Sequence, residues 1–171
     1  MSFRGSFAPR CLAGALLVTS LIASSAATAA VSSGPLCYQP RIAERGFAKK
    51  VNSARANNGF GNLRLDPQLS KAARVHTKEM ARQASLYHTP STTLRSRVTN
   101  WIVLGENVGV GDGVSSLHTA FMNSPAHRDN VLHAGYRHIR IGTKRVNGRL
   151  WVTILFEGVS DPGTTLWMRR C

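Results

Sequence analysis

Acidic residues are scarce in this sequence. Against 8 Asp and Glu stand 22 Lys and Arg, and the formal net charge is +14. The electrostatic field of this positive charge favours anionic partners. The basic residues form no Lys/Arg block and no stretch interleaved with aromatics, so nucleic acid is a disfavoured partner. For an exported protein, the charge indicates solubility and loose adhesion to an anionic envelope surface.

Two further features are missing. Beyond the N-terminal region, no segment is apolar for long enough to span a membrane. There is also no Gly-x-Ser-x-Gly sequence, and Cys37 and Cys171 lie at the two ends of the remaining chain. Neither a serine nor a cysteine therefore stands in a recognisable nucleophile setting.

Residues 1–29 are predicted to be a secretory signal peptide. Arg4 and Arg10 form its basic start, residues 12–23 are a short apolar core, and an Ala-Thr-Ala sequence ends the segment. An uncleaved anchor is the alternative, although the core is short for one. Cys11 precedes the core and is misplaced for lipidation. Export to the periplasm or the extracellular space is expected, with a chain that is soluble after cleavage.

Cleavage would leave 20 Lys and Arg against 8 acidic residues, a net charge of about +12, and two cysteines. In an oxidising compartment Cys37 and Cys171 can pair and join the chain ends. Closing so long a loop stabilises by up to about 4 to 5 kcal/mol. The alternative is that Cys171, the last residue, stays free. The remaining length suits one domain with a single core.

Two helices are predicted in the first half of the chain. Apolar residues recur at helical spacing from Ile42 to the Asn-Asn-Gly sequence at 57–59, which indicates a helix of about four turns. Asp66, an N-cap residue followed by proline, begins a second helix that should end near Ser85. His76 lies on its apolar face and is predicted to be a packed, hydrogen-bonded histidine rather than a ligand.

The middle of the chain predicts short elements. Residues 89–100 indicate a turn and a short helix, and the glycine-rich stretch 104–113 favours a strand end or a shaped loop. A short amphipathic helix follows from Val114, with His118 outside its apolar face and solvated. Another helix begins at Ser124, a preferred N-cap followed by proline.

The C-terminal part changes to a period of two residues. Residues 138–146 and 149–157 are rich in β-branched and aromatic residues and are joined by Asn-Gly, a strong hairpin signal. The second run is apolar on both faces and should be covered on both. Helices followed by such a hairpin predict an α+β fold, a three-layer α-β-α sandwich with a C-terminal antiparallel hairpin.

Three polar motifs stand out: "LYHTP" with His88, "LGENVG" with Glu106 and "NSPAHRDNVL" with His127. Each has a structural explanation when taken alone: a residue favoured by a helix C-terminus, a surface acid and an exposed first-turn residue. His127 is unusual because it occupies the third helical position, where a capping box would hold Glu or Gln.

The order of these motifs, followed by the hairpin, resembles the CAP superfamily, also called SCP-like, over about residues 42–158. "VNSARANNG" and "LRLDPQLSKAARVHTKEMA" are similar to bacterial members as well. The resemblance implies an α-β-α sandwich. It divides the chain into a signal peptide at 1–29, an irregular lead-in at 30–40 and a CAP domain at 41–171.

The resemblance also implies a cleft. Its expected residues are His88, Glu106 and His127, with Asn107, Asn123 and Ser124 nearby. Many members hold two His and two Glu there, and some bind a divalent metal through the two His. This sequence offers no counterpart of the second Glu, and it has Arg140 where a first glycine is expected.

A divalent metal such as zinc, bound by His88 and His127, is the only cofactor that the resemblance implies. Two imidazoles and the Glu106 carboxylate suit zinc with water in an open position, and they can equally form a metal-free hydrogen-bonded cleft. The helix N-terminus and Arg128 are expected to keep His127 neutral.

Three functions are compatible with these features. The favoured one is a non-catalytic exported binding module whose cleft engages an anionic envelope component, a lipid-like ligand or a protein. The second is a divalent-metal-dependent hydrolase with His88 and His127 as ligands and Glu106 as ligand or general base. The third is a basic surface-adhesion protein that acts by charge alone.

Overall fold

A computed structural model of the chain describes residues 37–158, 163–164 and 169–170. These belong to one folded unit, Ser33–Cys171. The predicted signal peptide and most of the lead-in lie outside the described residues. The side chains of both Cys37 and Cys171 also lie outside them, so their pairing stays a prediction.

The described helices confirm the local patterns of the sequence. They are α1 (Ile42–Asn57), α2 (Pro67–Gln83), α3 (Ser91–Arg97), α4 (Val114–Asn123) and α5 (Pro125–Leu132). The second helix ends two residues before Ser85, where Ala84 takes a positive φ of 49°. In the described part of the chain, no helix is long and apolar enough to cross a membrane.

The strands in the described residues form one main sheet and two short pairs. They are β1 (Cys37–Tyr38), β2 (Arg64–Leu65), β3 (Val98–Thr99), β4 (Leu104–Gly111), β5 (His138–Val146), β6 (Arg149–Glu157), β7 (Gly163–Thr164) and β8 (Arg169–Arg170). The main sheet has the order β2-β5-β6-β4, with only β2 and β5 parallel. Strand β1 pairs with β8 and places Cys37 opposite Arg169, so the lead-in is not wholly irregular.

The predicted hairpin is confirmed. Strands β5 and β6 pair antiparallel, and the two residues between them, Asn147 and Gly148, have φ values of 48° and 75°. Positive φ at both central residues matches the type I′ turn, whose twist suits a two-residue hairpin.

The glycine-rich stretch forms a regular strand, β4, at the edge of the main sheet. Glu106 therefore lies within a strand, and the expectation of a glycine loop at this residue is wrong. The glycines allow close packing. A Cβ on Gly109 would lie 3.0 Å from the Phe121 ring, and one on Gly111 would lie 2.9 Å from a Leu117 methyl.

Helices cover both faces of the main sheet and confirm the three-layer α-β-α sandwich. Helix α2 packs on one face, where a Cβ on Gly142 would come within 2.3 Å of the Ala73 backbone. Helices α1, α4 and α5 cover the other face and enclose the larger core, which includes Phe47, Ile141 and Phe156.

The expectation of a solvated His118 is wrong. Its ring is half-buried and its Nε2 atom is fully covered, because α4 packs against α1 on this side. Burial, followed by the nearby Lys50 charge, lowers the pKa of His118.

Candidate functional site

Two consecutive residues of β4 organise the site. Side chains alternate between the faces of a strand, so Glu106 points to the α2 face of the sheet and Asn107 to the opposite face. Both are buried: Glu106 is 9% exposed and Asn107 is fully covered. Because β4 is an edge strand, chain segments can approach it from both faces.

Glu106 holds the segment that follows α2. Its Oε1 atom lies 2.9 Å from His88 Nδ1 and accepts the Thr89 amide at 2.8 Å, while Oε2 accepts the Thr89 hydroxyl at 2.6 Å. An ionised carboxylate only accepts hydrogen bonds, so His88 Nδ1 donates. The other ring nitrogen of His88, Nε2, takes no part in this contact, and the side chain is 61% exposed.

A second histidine fixes the residue before His88. His76 lies 2.8 Å from the Tyr87 carbonyl through Nε2, and the two rings meet edge to face at 5.0 Å. His76 is only 1% exposed, which confirms the prediction of a packed, hydrogen-bonded histidine. It positions the segment that carries His88.

His127 is oriented by the residue that precedes its helix. Ser124 is the N-cap residue of α5, yet its hydroxyl makes no capping hydrogen bond. The hydroxyl instead lies 2.8 Å from His127 Nδ1, and the His127 ring packs on Phe121 at 5.1 Å. The expectation that the Ser124 side chain caps the helix is wrong, because the imidazole at the third helical position takes its hydroxyl.

The Asn107 side chain fastens α5 to the sheet. Asn107 Nδ2 donates to the His127 carbonyl at 2.9 Å, and Asn107 Oδ1 accepts from Asn130 Nδ2 at 2.9 Å. Tyr136 then donates to Asn130 Oδ1 at 3.3 Å. A Cβ on Gly105 would lie 2.1 Å from the Tyr136 hydroxyl, so only glycine admits this network.

Each residue of the Gly-Glu-Asn motif therefore has its own structural role. Glycine makes room, glutamate holds the His88 segment and asparagine holds the helix of His127. Sequence reasoning missed Asn130 and Tyr136, although Asn130 lies three residues after His127 and so near it on the helix surface. Asn123, expected near the cleft, is exposed at the end of α4.

His127 is disposed to be neutral. Burial of the ring lowers its pKa, and the electrostatic interaction with nearby His88 lowers it further. A lowered pKa for His127 agrees with the expectation from the sequence. Its cause differs from the expected one, because burial and His88 lower this pKa instead of Arg128.

The metal-ligating side chains of the candidate site are the imidazoles of His88 and His127. Among the described residues, no three His, Cys, Asp or Glu side chains form a group that could hold one. Both Glu106 oxygens already accept hydrogen bonds, so Glu106 orients His88 from behind. In both histidines a partner occupies Nδ1 and Nε2 remains for a ligand, an arrangement typical of metal-binding histidines.

Solved structures with the same fold include outer-surface and extracellular proteins. An outer surface protein from Borrelia burgdorferi superposes with a TM-score of 0.60 and 16% identity, over 70% of this chain and 95% of that chain. An extracellular protein containing a SCP domain from Bacillus anthracis gives a TM-score of 0.54 and 22% identity, over 74% of this chain and 45% of that chain.

Sequence comparison gives the family. The uncharacterized protein YkwD of Bacillus subtilis (strain 168) is 28% identical over 131 residues, which cover 72% of this chain and 49% of YkwD. The chain thus matches about half the length of that relative. The profile of the cysteine-rich secretory protein family, CAP, matches residues 48–155. The chain belongs to the CAP family of cysteine-rich secretory proteins.

Proposed function

We propose that this protein is an exported CAP-domain binding module whose cleft, at His88 and His127, engages a lipid-like or protein component of the cell envelope. One observation carries the proposal: both oxygens of the Glu106 carboxylate accept hydrogen bonds from His88 and Thr89. It is therefore a clamp and is not free to act as a general base.

Export is supported by two observations. Residues 1–29 have the composition of a signal peptide. Two proteins of the same fold are described as an outer surface protein and an extracellular protein.

The chemistry of the cleft suits recognition. His88 offers Nε2 on a side chain that is 61% exposed, and His127 offers a second imidazole, whose pKa is lowered by burial. Leu86, two residues before His88, is 48% exposed and adds apolar surface on the same segment. A ligand with one polar group and an apolar part would match both features.

Ligand-induced thermal stabilisation tests this proposal. Lipids, cell-wall fragments and metal ions are added separately to the wild type and to His88→Ala and His127→Ala variants. At 100 times its dissociation constant, a ligand stabilises the native state by about 2.7 kcal/mol. We expect a shift in the wild type that either substitution abolishes. His133→Ala is the matched control, because His133 is an exposed histidine outside the cleft.

Two outcomes contradict the proposal. A wild type that responds to none of the additives removes the small-ligand function. Binding that survives both histidine substitutions and fades steeply with added salt indicates adhesion by charge alone.

A second candidate is a divalent-metal-dependent hydrolase. The observation in its favour is that Nδ1 of both His88 and His127 is engaged, which leaves each Nε2 for a metal. Zinc, when bound, would supply a polarised water. Titration calorimetry with zinc on the wild type and on His127→Ala distinguishes the candidates. Wild-type protein that takes up no zinc contradicts the hydrolase.

A further inference from the structure

A separate cavity lies where strands β2 and β5 begin. Its volume is about 550 Å³, within the range of small-ligand sites. Among the described residues, its lining includes Asn62, Arg64, Ile102, Arg137 and His138. It shares no lining residue with the cleft of His88 and His127.

A second cavity of about 370 Å³ adjoins the first. Both are lined by Asn62 and Arg137, and the second adds Arg55 and Phe60. We call the two cavities together the arginine cleft. The exposed arginines Arg64 and Arg137 line it, and the guanidinium of Arg55 is buried and donates to backbone carbonyls.

The charge of the arginine cleft is not compensated. No acidic residue is found among the described residues that line it, and neither Arg64 nor Arg137 forms an ion pair with a carboxylate in the described part of the chain. Burial, followed by the Arg137 charge, lowers the pKa of Arg55, which places these two cations close together. Like charges held together without an acid favour an anionic occupant.

The structure holds these guanidinium groups in place. Arg137 Nη1 donates to the carbonyls of Ala134 and Tyr136 at 2.7 and 2.9 Å. Arg64 Nη2 lies 3.4 Å from His138 Nε2 and, as arginine only donates, that ring nitrogen accepts. Groups fixed before binding lose less entropy when a ligand arrives.

We propose that the arginine cleft binds a phosphate group, through the donors that Arg64 and Arg137 leave free. The planar guanidinium fork matches a phosphate in geometry and charge. Ile102, which is 76% exposed, and Phe60 provide apolar walls for whatever carries the phosphate. The carrier is either a soluble phosphate ester or a lipid headgroup.

Titration of ¹⁵N-labelled protein followed by NMR tests the proposal. The soluble probes are inorganic phosphate and glycerol 3-phosphate, and the membrane probes are vesicles of phosphatidylglycerol with phosphatidylcholine vesicles as the blank. We expect saturable shifts centred on the amides of Asn62, Gly135 and Gly158 in the wild type. Response to the soluble probes supports a free ester, and response to phosphatidylglycerol alone supports a headgroup.

Variants test the assignment to individual arginines. Arg64→Gln and Arg137→Gln should each weaken binding about tenfold or more, since charge-assisted hydrogen bonds are the strong ones. Arg64→Lys should recover part of the affinity. Arg82→Gln removes the same charge from an exposed position on α2 and should leave affinity unchanged, as should His88→Ala. A response to His88→Ala would assign the anion to the other cleft.

Three further results would overturn the proposal. One is the absence of saturable shifts with every probe. Another is an equal loss in Arg82→Gln and Arg64→Gln, which means attraction by net charge. The third is a set of shifts centred away from the arginine cleft in the wild type, a result that depends on no variant folding correctly.

Discussion

Glu106 and Glu157 are buried on the same face of the main sheet, and their environments differ. Their strands, β4 and β6, are neighbours, and Leu155, two residues before Glu157, lies opposite Glu106. Glu106 accepts hydrogen bonds from His88 and Thr89. In the described part of the chain, neither oxygen of Glu157 has a hydrogen-bond partner, although the residue is fully buried.

The lack of hydrogen-bond donors at Glu157 among the described residues leaves its buried charge unstabilised. Burial raises the pKa of Glu157 to about 7, and the charge of Arg140 acts in the opposite direction. Arg140 itself contacts Asp66, with 2.6 Å between Nη2 and Oδ2. A buried carboxylate with donors thus serves as a clamp, whereas one without donors becomes a proton-binding group near neutral pH.

Among the variants that test this comparison, removal of Arg140 should have the largest effect on stability. Arg140 is fully buried, and Arg140→Met leaves Asp66 and Glu157 without their cation. We expect the free energy of unfolding, measured with urea, to fall by about 3 to 5 kcal/mol. Arg145→Met is the control on the same strand; Arg145 is exposed, and its loss should cost under about 1 kcal/mol.

An equal cost of Arg140→Met and Arg145→Met would show that the buried cation does not stabilise the fold. The double variant Arg140→Met with Glu157→Gln tests the coupling directly. It should be more stable than Arg140→Met alone at neutral pH, because the carboxylate without a partner has been removed.

The proton of Glu157 predicts a pH dependence. Its pKa in the folded chain is about 7 against an ordinary 4.5, so the folded state binds this proton more tightly than the unfolded state. The stabilisation is full below about pH 4.5 and is lost as pH rises through about 7. Relative to Glu157→Gln, the wild type should lose about 3 kcal/mol between about pH 4 and pH 8.

Urea unfolding of both proteins across this pH range measures the effect. Groups common to both proteins cancel in the difference. A difference between the wild type and Glu157→Gln that stays level with pH would contradict the raised pKa of Glu157, and the contrast with Glu106 would fail.

The smallest expected effect is at Glu106. Glu106→Gln keeps the size of the side chain and removes the charge that strengthens three hydrogen bonds, so we expect a loss of about 1 to 2 kcal/mol. If Glu106→Gln lowered stability only through packing, the tautomer of His88 would be unchanged. Nitrogen NMR of the imidazoles should show that His88 no longer carries its proton on Nδ1 alone. An unchanged His88 tautomer would contradict the role of Glu106 as a clamp.

Local patterns predicted most of the fold. Helical spacing located α1 and α2, and the Asn-Gly turn located the β5–β6 hairpin, because these signals lie within a few residues. For β4 the sequence indicated only a strand end or a shaped loop, because the reason for its glycines lies elsewhere in the chain. Gly105 faces Tyr136, which is 31 positions away.

The candidate site was predicted only in outline. The motifs named His88, Glu106 and His127, but a linear pattern does not show that Glu106 holds His88 or that Ser124 orients His127. The sequence contained a signal for the position of Glu157 next to Arg140. Once the turn fixes the register, Glu157 lies opposite His138 and diagonal to Arg140, so the hairpin alone places a carboxylate beside a buried arginine.

The adjacency of Glu106 and Asn107 has a consequence for how the protein tolerates change. The anchors of the two histidine segments are one peptide unit apart on a strand that pairs along its whole length with β6. The spacing between the two histidine segments is thus set by strand β4 and not by the loops around it. Insertions at residues 100–103 or 112–113, which lie outside β4, should therefore leave the two anchors in register.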